Sequence, residues 1–150
     1  MIFSYKSKVS ELWIEEDDGK LIGIGFVKPL DKIVTEQPTP CMCDVIGQLG
    51  EYFAGKRKIF DVKFDFKGTS FQQKVWKQLT EIPYGSTVTY KDIAEKIGSP
   101  KAYRAVGMAC NKNPMVIIVP CHRVIGVGGK MMGYAGGISV KKELLELENS

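Results

Sequence analysis

The sequence has 150 residues, of which 44% are hydrophobic and 25% charged, with a formal net charge of +4. That is the length of one domain or two small ones, enough to bury a core without disulfide staples. No apolar run approaches the roughly 18 residues of a membrane span, and Met1-Ile2-Phe3-Ser4-Tyr5-Lys6 lacks the basic-then-apolar pattern of a leader, which sets aside disordered, collagen-like, secreted and membrane-spanning classes. A cytoplasmic setting is expected, or the nucleus in a eukaryote, where Cys41, Cys43, Cys110 and Cys121 stay thiols.

The early residues alternate in the manner of strands. Val9 to Glu16 and Leu21 to Val27 predict a hairpin joined by the turn Asp17-Asp18-Gly19. Thr35 to Pro40 is a connector, and Val45, Ile46, Leu49 and Phe53 then recur at helical spacing up to Gly55, so this helix should cover one face of the small sheet. Asp61 to Phe66 alternates again and predicts an extended segment. From Thr69 onward the period is helical. Ser70 followed by Gln73 is a capping-box spacing, and Phe71, Val75, Leu79 and Ile82 share a face before Pro83 stops the helix.

Thr89 caps a further helix with Ile93, Ala94 and Ile97, closed by Gly98. Ser99-Pro100 then predicts the start of another, running through Ala102, Ala105, Val106 and Ala109 to about Lys112. Two short helices across a glycine turn form a helix-turn-helix pattern. Asn113-Pro114 breaks it. Residues 115 to 119 are a buried apolar segment, followed by Pro120-Cys121-His122-Arg123-Val124, a glycine-rich loop, and a closing helix from Val140 to Glu148. The expected fold class is α+β, with a small sheet-plus-helix domain over residues 1–60 and a mostly helical domain over residues 61–150.

Charge is placed unevenly. Residues 1–60 carry 8 Lys/Arg against 9 Asp/Glu, whereas residues 67–130 carry 10 against 3, which concentrates positive charge where a polyanion could be held. The second helix of the pair sets Lys101, Tyr103, Arg104 and Lys112 among the small residues Ala105, Gly107 and Ala109. A glycine inside a helix costs about 1 kcal/mol relative to alanine, so Gly107 points to close approach by a partner, either nucleic acid or another helix. Cys121 beside the only histidine would suit an activated nucleophile, because the thiolate is the reactive form and His or Arg nearby lowers a thiol's pKa. Such a histidine needs a carboxylate to orient it, and Glu146 and Glu148 are the candidates. On the dipeptide alone, a buried small thiol and a core histidine is the commoner arrangement.

Pro120-Cys121-His122-Arg123-Val124, preceded by Arg104-Ala105-Val106-Gly107 and Asn113-Pro114 and followed by Tyr134-Ala135-Gly136-Gly137, resembles the O6-alkylguanine-DNA alkyltransferases. The resemblance covers Thr69 to Glu148 in detail, and the first 60 residues only in general plan. It implies a ribonuclease H-like first domain, a winged-helix-like second domain, and a monomeric repair protein that acts once on double-stranded DNA carrying alkylated guanine, entered through the minor groove. Cys121 would take the alkyl group from a flipped base, with His122 and Glu148 maintaining its thiolate through a water, Asn113 holding the turn, and Tyr90 rotating the 3′ phosphate and bonding the base. Arg104 would replace the flipped guanine in the stack. Tyr90, Ala105, Gly107, Lys101 and Arg123 complete the implied DNA-contacting set, and Val124, Tyr134, Ala135, Gly136, Val116 and Cys110 the pocket, with Cys110 serving mainly in packing.

Three departures from the family pattern stand out. Ala135 replaces a serine common in the family and removes a hydroxyl that could donate toward O6, so slower transfer is expected. Val116 replaces a proline of the alkyl pocket. The zinc ligands that some members carry cannot be assembled from Cys41, Cys43 and one histidine already assigned, so neither a metal nor any other cofactor is expected. Two other functions are open to the same residues: recognition of alkylated DNA without chemistry, and hydrolysis by Cys121 with His122 as base.

Overall fold

Alternating apolar residues near the start of the chain produce a three-stranded antiparallel sheet. The computed structural model describes residues 1–150, in which β1 (Ile2–Lys6), β2 (Glu11–Asp17) and β3 (Lys20–Gly25) pair in that order. The β2–β3 hairpin closes where Asp17 pairs with Lys20, and Asp18 and Gly19 take φ of 50° and 76°. Two consecutive positive φ values give the tight turn whose twist matches that of the flanking strands. β1 is an element the sequence pattern did not indicate. Only Ile2 of its five residues is fully buried, so its alternation is weak, and its register is set by pairing from Ile2↔Glu15 to Lys6↔Glu11.

Ile2, Leu12, Ile14, Leu21 and Ile24 are buried, as are Met42, Val45, Leu49 and Tyr52 of α1 (Pro40–Phe53), the helix that packs against β2 and β3. Each such side chain contributes about 1.5–3 kcal/mol of transfer free energy. The segment after α1, where an extended run was expected, joins no ladder. Its anchor is a side chain: Asp61 N donates to Gln48 Oε1 at 2.8 Å, and Gln48 Nε2 donates to Asp61 O at 2.9 Å. That exchange keeps residues 61–65 with the first unit, and the chain divides into Met1–Asp65 and Phe66–Ser150, beyond the division at residue 60 that composition suggested.

In the second unit α2 (Ser70–Leu79) starts one residue earlier than its Ser70/Gln73 spacing implies. Thr69 is the cap, accepting from Gln72 N at 3.1 Å while its own N–H donates to Gln72 Oε1 at 3.0 Å. Gln73 reaches back to Gly68 O instead. Val75, Trp76 and Leu79 face inward, and the Trp76 indole N–H donates to Ala109 O at 2.8 Å. α3 (Tyr90–Lys96) is capped by Thr89 as expected, and Asp92 completes a capping box with it. α4 (Tyr103–Asn111) begins later than Ser99-Pro100 suggested, because Ser99 to Lys101 form a turn closed by Ala102 N to Ser99 O. The helices α2, α3 and α4 pack on one another, with α3 and α4 as the helix-turn-helix.

Two short strands then fix the site. β4 (Val88–Thr89) and β5 (Val124–Ile125) pair in parallel, Val88 with Val124 and Thr89 with Ile125. This ladder sets Tyr90, the first residue of α3, beside the Pro120-Cys121-His122-Arg123 segment. α5 (Ile138–Glu148) packs against the short 3₁₀ turn Cys121–Arg123. No helix is long and apolar enough to cross a membrane.

Candidate active site

Asn113, just past the end of α4, organises the chain ahead of Cys121. Its Oδ1 accepts from Met115 N at 2.9 Å, and its Nδ2 donates to Val119 O at 2.7 Å and to Cys121 Sγ at 3.2 Å. Between those anchors the backbone makes a three-residue turn, Ile118 N to Val116 O at 2.8 Å, with Ile117 at φ 73°. A β-branched residue rarely adopts that conformation, and its cost of about 1–3 kcal/mol is held by burial of Met115, Val116, Ile117 and Val119. Val116, which the resemblance placed in the pocket, is thus buried among these apolar residues.

Cys121 is 3% exposed. Burial pushes its thiol up to about 11, against the lowering effects of the Asn113 hydrogen bond, the Lys141 charge, its own backbone and a Tyr134 hydrogen bond. His122 is fully buried, and its Nε2 lies 2.7 Å from Glu148 Oε2. An ionised carboxylate only accepts, so Nε2 carries the hydrogen and Nδ1, buried without a partner, keeps a bare lone pair. Burial, more than any charge, lowers the imidazole's pKa; Glu148 opposes the shift, and Arg123 and Lys141 reinforce it.

Arg123 overturns one expectation. Placed by sequence among the DNA-contacting residues, it is 6% exposed and turned inward, with Nε to Glu148 Oε1 at 2.8 Å, Nη2 to Glu148 Oε2 at 3.0 Å and Nη1 to Ile82 O at 2.8 Å. Its guanidinium also lies 5.7 Å from the Tyr84 ring centre. Each of the three guanidinium nitrogens thus donates to a group within the protein. Lys101, Arg104 and Ala105, by contrast, are exposed on the start of α4 and the turn before it.

Tyr90, half-buried, lines a cavity of about 380 Å³ with Tyr103, Arg104, Gly107, Met108, Asn111, Met132 and Gly133. Burial raises its phenol to about 12, so it is a hydrogen-bond donor at neutral pH. A Cβ on Gly107 would meet the Tyr90 ring at 3.8 Å, ordinary contact, so the protein itself leaves room there. Tyr134 and Gly136 are half-buried and Ala135 is exposed on the loop before α5, while Cys110 is buried, its thiol pushed up first by burial.

Lys141 is the residue that sequence reading missed. It is fully buried, and its Nζ donates to Val124 O at 2.6 Å and, at 3.5 Å, to Tyr90 Oη. The carbonyl of Val124, a residue the resemblance placed in the pocket, therefore already has one partner. Lys141 shares a face of α5 with Leu144, Leu145 and Glu148, an i, i+3, i+4, i+7 stripe in which a lysine and a glutamate interrupt apolar positions. That interruption was the available signal. No group of three or more His, Cys, Asp or Glu side chains is arranged to hold a metal ion.

Comparison with known proteins matches both units. Residues 3–66 match the family described as 6-O-methylguanine DNA methyltransferase, ribonuclease-like domain, and residues 70–150 its DNA binding domain. A methylated-DNA–protein-cysteine methyltransferase of Methanosarcina acetivorans is 47% identical over 150 residues, covering 97% of this chain and 96% of that one. The crystal structure of Mycobacterium tuberculosis OGT in complex with DNA superposes with a TM-score of 0.89 at 45% identity, over 99% of this chain and 92% of that one. An O6-methylguanine DNA methyltransferase from Methanococcus jannaschii gives 0.73 at 29% identity, over 99% and 93%. With both units matched and a relative 47% identical along nearly its whole length, the chain belongs to the 6-O-methylguanine DNA methyltransferase family.

Proposed function

We infer that this protein repairs O6-alkylguanine, chiefly O6-methylguanine, in duplex DNA by moving the alkyl group onto its own Cys121. The observation that carries the assignment to this residue is the setting of its sulfur: buried, held by the Asn113 amide at 3.2 Å, and followed by the His122–Glu148 pair at 2.7 Å. The thiolate attacks the alkyl carbon, an S–C bond forms, the C–O6 bond breaks with its electron pair going to oxygen, and the guanine takes one proton. The thioether is stable, so each molecule acts once and needs no cofactor.

A stacked base cannot present its O6 substituent to a buried thiol, so the nucleotide leaves the duplex. Exposed Arg104 fills the gap, the small residues Ala105 and Gly107 allow the minor groove to approach, Lys101 meets phosphate, and Tyr90 donates to the flipped base from the cavity wall. Tyr134, the Ala135 and Gly136 backbone and the Val124 carbonyl line the guanine side. The protein works as a monomer in the cytoplasm, where its DNA lies.

Intact-protein mass spectrometry after mixing with an equimolar duplex carrying O6-methylguanine tests this directly. One added methylene mass on the Cys121 peptide is the expected result. Binding without mass gain would mean recognition without chemistry, and regenerated thiol with multiple turnovers would mean a hydrolase.

A further inference from the structure

The longest stretch of the chain without an acidic residue runs between Glu95 and Glu143, and α4 lies inside it. The inner face of α4 consists of Val106, Ala109 and Cys110, all buried. On its outer side Arg104, Met108 and Lys112 follow at i, i+4 and i+8, the spacing of one ridge along a helix, and all three are exposed. The ridge therefore reads cation, apolar, cation, with no carboxylate on the helix to neutralise either end. Met108 is 65% exposed, more than any other large apolar side chain on a helix of this protein. It shares the rim of the 380 Å³ cavity with exposed Tyr103 and Met132, and Arg104 and Asn111 border the same opening. Apolar side chains gathered in one place and rimmed by polar ones mark a contact surface.

A minor groove offers the matching order: phosphates along both edges, with sugars and base edges between them. Proteins that bind there often press an apolar side chain, methionine among them, against or between stacked base pairs. Methionine suits such a slot because it is unbranched and conforms to irregular space. Its neighbours Ala105 and Gly107 are small, so Met108 is the side chain that projects from the middle of this face. Spacing then fixes where it lands. Four helical residues rise about 6 Å, close to two base-pair steps of about 3.4 Å each. With Arg104 in the gap left by the flipped nucleotide, Met108 meets the stack about two steps away.

Resting on the repair reading above, we propose that Met108 is a second wedge beside Arg104, which loosens a base step about two pairs from the lesion and gives repair a preference for particular flanking sequence. Loosening a step costs stacking energy, and the cost depends on sequence: pyrimidine–purine steps such as TA part easily, whereas A-tracts are stiff. The protein therefore repairs a lesion faster when a TA step lies about two pairs away, on the side toward which α4 runs from Arg104. This discrimination needs no hydrogen bond to a base edge. Arg104 and Lys112 hold the two ends of the ridge, the first in the stack and the second at a phosphate, and so keep Met108 in register.

Single-turnover methyl transfer is measured on duplexes that carry O6-methylguanine in one fixed central sequence, with the step two pairs away set to TA or AA on either side. Wild type is expected to be at least threefold faster with TA on one of the two sides. Met108→Ala is expected to lose that ratio, and Met108→Leu, still apolar and long, to keep most of it. A second readout places 2-aminopurine at the same step, where its fluorescence should rise on binding of wild type and stay low with Met108→Ala. The same TA preference in Met108→Ala, or no preference in wild type, would overturn the proposal. So would an equal slowing of Met108→Ala on every duplex and on single strands, which would make Met108 a part of the cavity wall alone. A Met108-dependent fluorescence rise in a protein that accepts no methyl from any substrate would instead defeat the alkyl-transfer reading and leave the wedge standing.

Discussion

Arg123 and Glu148 form a two-pronged ion pair inside the second unit, Nε to Oε1 at 2.8 Å and Nη2 to Oε2 at 3.0 Å, with side-chain exposures of 8% and 0%. The same carboxylate takes the His122 Nε2 hydrogen at 2.7 Å and the Gly85 amide at 3.2 Å. One side chain at the end of α5 therefore fixes the histidine's tautomer, the arginine's direction and the loop that leads to β4.

Arg123→Ala leaves Glu148 buried without its strongest partner. Breaking one side of a buried ion pair costs about 3–5 kcal/mol, so a marked drop in urea midpoint is expected. Affinity for undamaged duplex should stay within about twofold of wild type at a temperature where the variant is folded, and a large loss of affinity there would return Arg123 to the DNA-contacting set.

The pH dependence follows from His122. Its folded pKa is lowered, so below the ordinary value of 6.5 the unfolded chain takes up a proton that the folded one refuses, and stability is lost as pH falls. Urea unfolding from pH 7 to 5 should show a decline of up to about 1.4 kcal/mol per pH unit from this group. His122→Gln, which cannot titrate, should flatten that part of the curve.

Asn113→Asp replaces the amide donor at Cys121 Sγ with an acceptor carrying negative charge. Thiolate formation becomes less favourable, and single-turnover methyl transfer should slow by more than tenfold. Both variants lose the bond to Val119 O, and Asn113→Ala loses the one from Met115 N as well, which should lower stability by about 1–3 kcal/mol. Equal transfer rates for wild type and Asn113→Asp would show that the 3.2 Å contact has no part in the chemistry.

Gly126→Ala probes the loop that carries Tyr134. A Cβ there would lie 3.0 Å from Met132 Cγ, 3.1 Å from Lys130 Cβ and 3.2 Å from Lys130 O. The loop must shift by a few tenths of an ångström, which displaces the cavity wall at Met132. Transfer is expected to slow several-fold while thermal unfolding changes little, and a wild-type rate would show that loop position is not critical.

What could be read from the chain alone was whatever is coded over a few neighbouring residues. Asp18-Gly19 specifies the hairpin turn through two positive φ values, Thr89 with Asp92 specifies the start of α3, and the Pro120–Val124 segment with its flanking motifs marks the nucleophile. Where two local codes overlapped, as with Thr69/Gln72 and Ser70/Gln73, sequence could not rank them, and side-chain geometry chose the first. The start of α4 and the unpaired course of residues 61–65 were likewise settled by backbone and side-chain bonds that no short pattern encodes.

Direction of charge was the larger matter left to tertiary structure. In sequence Arg123 is a basic residue in a basic region, and Lys141 is one of two adjacent lysines near the start of a helix. Only folding brings Glu148 from 25 residues away onto Arg123, and seals Lys141 between Val124 and Tyr90. The chain thus marked by itself the Pro120–Val124 segment and most of the elements around it. Which charges reach solvent, and which are held in a dry interior, depends on long-range burial and desolvation that no local pattern contains.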